Sequence, residues 1–294
     1  MPFTTARQRK QAVGRLDDLP EPLRRVFQPG DDFRVLLEPS PEDWLAVHAE
    51  PGQSVEQYLR RDARPPTTSR SKLYIQPLGR FPECRSPSLE RLERFAAAFF
   101  CLPVEILPLD ETPEGLIRSR MRNRTGERQL LTSDLLGRLA ARLPSDALAL
   151  LGVTMEDLYP DPSWNFVFGQ AWPARRVGVY SFARYDPRFS GEPATAQTRR
   201  RLLLERSCRV LAHEAGHLLG LGHCIYYRCL MNGSNHLAES DARPLHLCPV
   251  DLRKLHLAIG FDPVERYRQM LAAVRAMGLE GEARWLARRV ERVA

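Results

Sequence analysis

A mixed α/β fold, with a mostly parallel sheet and one antiparallel edge strand, is what this 294-residue sequence predicts. Three patterns carry that expectation. Residues 72–154 alternate strand-like and helix-like segments. Residues 164–185 hold two β-rich runs around a short proline-containing turn. From about residue 195 a long helix runs into a glycine-broken, histidine-rich stretch.

Taken in order, KLYIQPLG (72–79) alternates apolar and polar residues as a strand does. SPSLERLERFAAAFF opens with serine capping chemistry and continues at helical period. LPVEILPL (102–109) is a second strand, TSDLLGRLAARL (132–143) a helix capped by Thr132 or Ser133, and DALALLGVT (146–154) a buried strand. Strands and helices in this alternation imply parallel neighbours with helices against the faces. WNFVFGQA (164–171) and VGVYSFARY (177–185) read as a hairpin, which sets one strand antiparallel at the sheet edge. The long helix starts near Thr195 or Thr198, shows an apolar stripe of Leu203, Val210, Leu211 and Leu218, and stops at Gly220. A last helix, about 263–290, has its own stripe (Met270, Val274, Trp285, Leu286) and is expected to pack on the body. Residues 1–70 are rich in proline and charge, and ARPPTTSRS (63–71) reads as a linker. The organisation expected is an accessory region 1–70, a main domain 71–262 and a C-terminal helix 263–294.

The composition, 43% hydrophobic and 27% charged, is that of an ordinary globular chain. No segment approaches the roughly 20 apolar residues of a membrane span. The first residues lack the apolar core of a signal peptide, so the expectation is a cytoplasmic protein with no membrane contact. The net charge is +7, but only Lys10, Lys72 and Lys254 of the 43 basic residues are lysine, and the arginines are scattered. No basic block with interleaved aromatics marks a nucleic-acid surface, so no nucleic-acid partner is expected. Of six cysteines, Cys84, Cys101 and Cys208 stand alone and read as small buried apolar residues. Without an export signal, disulfides are not expected.

The chemistry is concentrated in HEAGHLLGLGHCIYYRCLM, residues 213–231. His213 and His217 are four apart, so on a helix both rings lie on one face and can chelate one ion. Gly220 can end that helix with a positive φ and turn the chain, which returns His223 as a third ligand. Three histidines leave a fourth position for water, the open site that zinc catalysis uses. Glu214, beside the first histidine, is placed to take the proton of a zinc-bound water and pass it to the leaving amine. A purely structural zinc site has no use for such a glutamate. Cys224, Cys229 and Cys248 fall inside a 25-residue span beside the histidines, and there the reading as small buried apolar residues loses.

These residues resemble the archaemetzincins, a family of zinc metallopeptidases. The likeness rests on the extended histidine motif HExxHxxGxxH followed by Cys-x4-Cys-x-Met, matched at His213, Glu214, His217, Gly220, His223, Cys224, Cys229 and Met231. It extends to CLMNGSNHL, RPLHLCP and DLYPDPSWNFVFGQ, and spans roughly residues 72–262. The resemblance implies a metzincin-like zincin domain with a twisted sheet, an active-site helix and a Met-turn. Met231 would form an apolar floor beneath the catalytic zinc. The edge strand, within 164–171, would line the cleft and receive an extended peptide or protein substrate by strand addition. A second, structural zinc would be held by four cysteines. Here the chain departs from the family. The segment before Cys248 is about one residue short, and Asp251 stands where the last cysteine is expected. Asp251 can ligate zinc in its place; His246 and His256 are alternatives, and an empty second site is a third possibility.

No cofactor beyond zinc is expected. The competing reading is a non-catalytic zinc module for protein interaction, which the presence of Glu214 and an open three-histidine site disfavours. His236 and the pair Tyr226 and Tyr227 are lesser candidates for substrate or oxyanion contact. Endopeptidase and aminopeptidase action, cleavage preference and oligomeric state are left open by the sequence.

Overall fold

The structure is a computed structural model that describes residues 1–83, 85–111, 115–122 and 126–294. Cys84 lies outside the described residues. By packing, the chain divides into two compact units: residues 1–65 with 98–101 and 219–294, and residues 66–97 with 102–218.

The second of these holds the sheet. Its strands are β1 (Lys72–Leu78), β2 (Val104–Ile106), β3 (Ser119–Met121), β4 (Arg128–Leu131), β5 (Ala147–Thr154), β6 (Asp157–Tyr159), β7 (Gly169–Trp172) and β8 (Val177–Ser181). The main sheet has the order β2-β1-β5-β8-β7. All its pairs are parallel except β7 with β8, so the mostly parallel sheet with one antiparallel edge is present. β5 lies at the centre, with Leu150 opposite both Tyr74 and Val177. Every residue of β5 is buried, which is why it reads as a continuous apolar run and not as an alternating one. Leu135, Leu136 and Leu139 of the helix Thr132–Ala141 join Leu78, Leu150, Val177 and Val179 in one apolar core.

Several details differ from the sequence expectation. The edge strand begins at Gly169, not near Trp164. The carbonyls of Pro162 and Asn165 accept from the Arg120 guanidinium at 3.0 Å each, and Asn165 also accepts from Gln129. These bonds hold residues 162–165 against Arg120 and Gln129, outside the β7–β8 ladder. Trp164 is 59% exposed. The helix at 132 is not capped by a side chain; Leu131 is the cap residue, and the Thr132 hydroxyl is committed to Gln170. The sequence also gave no sign of the small sheet β3-β4-β6, whose strands of three or four residues are too short to show a period.

The other unit is helical. Its N-terminal part has short helices at Ala6–Val13, Glu21–Phe27 and Trp44–Val47, a turn at Val55–Gln57 and a π-helical turn at Tyr58–Asp62. Its C-terminal part has helices Leu237–Ala242, Pro249–Ile259, Pro263–Ala276 and Glu280–Val293. The single helix expected over 263–290 is thus two, broken where Gly278 adopts φ 71°. The two parts interlock. Arg289, 2% exposed, donates to Asp32 at 2.8 Å and to the Val26 carbonyl at 2.7 Å, and its guanidinium lies over the Phe33 ring. Trp285 donates to the Asp32 carbonyl at 3.1 Å. Among the described residues, no helix is long and apolar enough to cross a membrane.

Leu150→Ala should test the central place of β5. It should lower unfolding free energy by about 2–5 kcal/mol, because a buried leucine leaves a cavity that two flanking strands prevent from collapsing. Denaturant unfolding measures this; a loss under about 1 kcal/mol would contradict it.

Candidate functional site

The helix Ala196–Leu218 carries the first two histidines at its C-terminal end. The spacing of four places their rings together as helical geometry requires. The Nε2 atoms of His213 and His217 are 3.0 Å apart, with the rings edge to face. His213 is buried and His217 half-buried. Glu214 is also half-buried, and its charge reaches Tyr180 in β8. Tyr180 is fully buried with an unpartnered hydroxyl, and burial first, then the Glu214 charge, raise its pKa well above the ordinary tyrosine value.

The chain after this helix turns at Gly220, whose φ is 90°. A Cβ built there would lie 1.8 Å from the backbone oxygen of Asp62, so the position has room for glycine alone. The N-terminal segment grips this turn from several sides. Gln53 donates to the Gly220 carbonyl at 3.0 Å and accepts from the Gly222 N–H at 3.0 Å. The Tyr58 hydroxyl donates to the Leu219 carbonyl at 3.0 Å. His223 follows, with Nδ1 2.6 Å from Glu50 Oε1.

The cysteine cluster begins at the next residue. Cys224, Cys229, Cys248 and Asp251 are all essentially inaccessible, and their ligand atoms lie within 4.8 Å of one another. Cys224 and Cys248 sulfurs are 3.6 Å apart, and Cys229 Sγ is 3.2 Å from Asp251 Oδ2. Asp251 and Cys248 come together because Cys248 caps the helix Pro249–Ile259, which carries Asp251 in its first turn. His246 and His256 point elsewhere. His246 bonds Glu282 at 2.7 Å and stacks on Trp285, and His256 Nδ1 lies 2.7 Å from the Phe261 carbonyl.

The electrostatics of the cluster favour a cation. Burial pushes Asp251 up to about 6, and the Cys224 charge adds to this while Lys254 opposes it. Burial and the Cys224 thiolate drive Cys248 and Cys229 well above the ordinary thiol value. Burial pushes Cys224 up, but hydrogen bonds with Cys229 and Cys248, a backbone hydrogen bond at Tyr227 and the Lys254 charge together hold it well below that value. Lys254, 1% exposed, donates to Asp251 Oδ1 at 2.7 Å and leaves Oδ2 toward the sulfurs. Three sulfurs and one carboxylate oxygen are a fitting donor set for a tetrahedral zinc ion.

Asn232 ties the following turn to this loop. Its amide donates to the Cys224 and Tyr227 carbonyls at 2.7 and 2.9 Å, and its oxygen accepts from the Cys229 N–H at 2.8 Å. Met231 is fully buried, and its carbonyl accepts from the Cys224 N–H at 2.8 Å. Tyr226 and Tyr227 are buried, and burial raises both hydroxyls to about 12. His236 Nδ1 accepts from the Glu239 N–H at 3.2 Å, and its Nε2 lies 3.2 Å from Asp43 Oδ1 in the N-terminal segment. Cys208 is buried as expected, whereas Cys101 is partly exposed. Sequence reasoning missed Trp44, Glu50, Gln53 and Tyr58. No motif or periodicity marks them, and they meet the turn only through the fold.

Three comparisons bear on this arrangement. Residues 133–257 match peptidase family M54. The archaemetzincin-2 of Homo sapiens is 37% identical over 278 residues, an alignment covering 85% of this chain and 77% of that protein. The archaemetzincin-1 of Mus musculus is 36% identical over 272 residues, covering 83% of this chain and 54% of that protein. Among solved structures, a zinc-dependent peptidase from Methanocorpusculum labreanum shares the fold, with a TM-score of 0.50 and 24% identity over 62% of this chain and 99% of that one.

The turn yields a direct test. Gly220→Ala should destabilise the protein by at least about 2 kcal/mol, combining a left-handed backbone penalty of about 1–2 kcal/mol with a backbone clash. Thermal unfolding measures the loss, and an unchanged midpoint would contradict the close approach to Asp62.

Proposed function

Given that this chain belongs to the archaemetzincins, peptidase family M54, and is a zinc-dependent metallopeptidase acting on peptides or proteins, we propose that Glu214 is its general base and that His213, His217 and His223 hold the catalytic ion. The observation that carries this is the His213–His217 pair, set 3.0 Å apart at the end of one helix with Glu214 beside it. When bound, zinc supplies Lewis acidity: it polarises the scissile carbonyl and acidifies water. The rest of the chemistry belongs to the chain. The Glu214 carboxylate accepts the proton of the attacking water and delivers it to the departing amine nitrogen. Met231 supplies an apolar, non-ligating floor in a metzincin-type arrangement. β7, with one edge unpaired in its sheet, offers main-chain groups to an extended substrate.

Cys224, Cys229, Cys248 and Asp251 are proposed to hold a second, structural zinc. Burial of three thiols and a carboxylate in one cluster supports this reading, since the Lys254 ammonium balances only one of the negative charges that ionisation would create. A reducing, cytoplasmic setting suits such a site, because these thiols ligate only while reduced.

Two experiments test these roles. Glu214→Gln should lower turnover of a peptide substrate by about 10²–10⁴-fold while zinc content and thermal stability hold; a variant as fast as the parent would refute the role of Glu214. Native mass spectrometry should find two zinc ions in the parent and one in Asp251→Ala. One ion in both would leave the cysteine cluster without a metal.

A further inference from the structure

We propose that Glu50 and Trp44, from the N-terminal segment, are positioning residues for the catalytic ion: they hold the His223 ring in the tautomer that presents Nε2 as the ligand. The proposal rests on the reading of His223 as a zinc ligand. Neutral imidazole has two tautomers, and the partner of one ring nitrogen decides which carries the proton. Here His223 Nδ1 lies 2.6 Å from Glu50 Oε1. A carboxylate can only accept at neutral pH, so Nδ1–H donates and Nε2 is left with its lone pair for the metal. The carboxylate also makes the imidazole a stronger donor, as carboxylate–histidine pairs do around zinc.

Glu50 is itself held. The Trp44 indole N–H donates to the same Oε1 at 2.6 Å, so one oxygen receives both donors. The Trp44 ring also stands edge-on to the His223 ring, with centroids 5.0 Å apart and planes at 78°. Trp44 is fixed in turn from its backbone and its face. Its N–H donates to both oxygens of Glu239, at 3.0 and 3.1 Å. Its indole fills the space over Gly233, two residues after Met231, where a Cβ would lie 2.3 Å from Trp44 Cδ1. A chain of contacts thus runs from Glu239 through Trp44 and Glu50 to the metal-facing ring, and each link has a defined geometry.

The test is a zinc competition titration with a chromogenic chelator on the full chain, for the parent, Glu50→Ala, Glu50→Gln and Trp44→Phe, with His217→Ala to identify the catalytic ion. Glu50→Ala should weaken that ion about 10–100-fold. Glu50→Gln keeps the acceptor oxygen but loses the charge, and should weaken it less. Trp44→Phe keeps the ring, loses the N–H, and should fall between the parent and Glu50→Ala. The cysteine-bound ion should not move. Unchanged affinity for the His217-dependent ion in Glu50→Ala overturns the proposal; should that variant fail to fold, unchanged affinity in both Glu50→Gln and Trp44→Phe does so. If His217→Ala loses no zinc, the ligand assignment itself falls and takes the proposal with it.

Discussion

Residues 223 and 224 are consecutive, yet their side chains enter two different clusters. The His223 ring is engaged by Glu50, and the Cys224 sulfur lies 3.6 Å from that of Cys248. One peptide unit therefore joins a histidine centre to a cysteine centre. A shift in either cluster would pull on the other. The backbone around this junction is correspondingly fixed: the Cys224 N–H donates to Met231, and the Asn232 amide holds the Cys224 carbonyl. A structural metal in the cysteine cluster would stiffen the loop that carries His223. Its role in an enzyme would then be indirect: to keep a small set of donor atoms where chemistry needs them.

The same logic gives the N-terminal segment a purpose. Gln53, Tyr58 and the Asp62 carbonyl enclose the turn 219–222, and Glu50 reaches the histidine that follows. Gln53 and Tyr58 satisfy backbone groups left open where the long helix ends, which a buried helix terminus requires. The segment belongs to the same compact unit as residues 219–294. It is built into the site's support and is not a free appendage.

Much of this was legible in the sequence, and the reasons are physical. The long apolar run of β5 and the helical stripe before His213 are strong, local and periodic. The histidine spacing fixes one helix face, and the glycine at 220 announces its own backbone. What was hidden depends on distant partners. The edge strand starts after a segment held by Arg120, a distant partner that no periodicity shows. The split of the C-terminal helix turns on Gly278 adopting φ 71°, a tolerated residue in many helices. The fourth member of the cysteine cluster could be narrowed only by seeing His246 against Trp285 and His256 against Phe261. Trp44 and Glu50 carry no motif at all; their significance lies in contacts more than 170 residues away along the chain.

The central claim is that one short stretch builds two metal sites of different chemistry. X-ray absorption at the zinc edge of the fully loaded protein tests it most directly. The account predicts two resolved shells, a nitrogen and oxygen shell near about 2.0 Å and a sulfur shell near about 2.3 Å, with sulfur a substantial minority of all ligands. A spectrum with the nitrogen and oxygen shell alone would mean that the cysteine cluster binds no zinc, and one dominated by sulfur, with no more than a single oxygen beside it, would mean that the histidines do not.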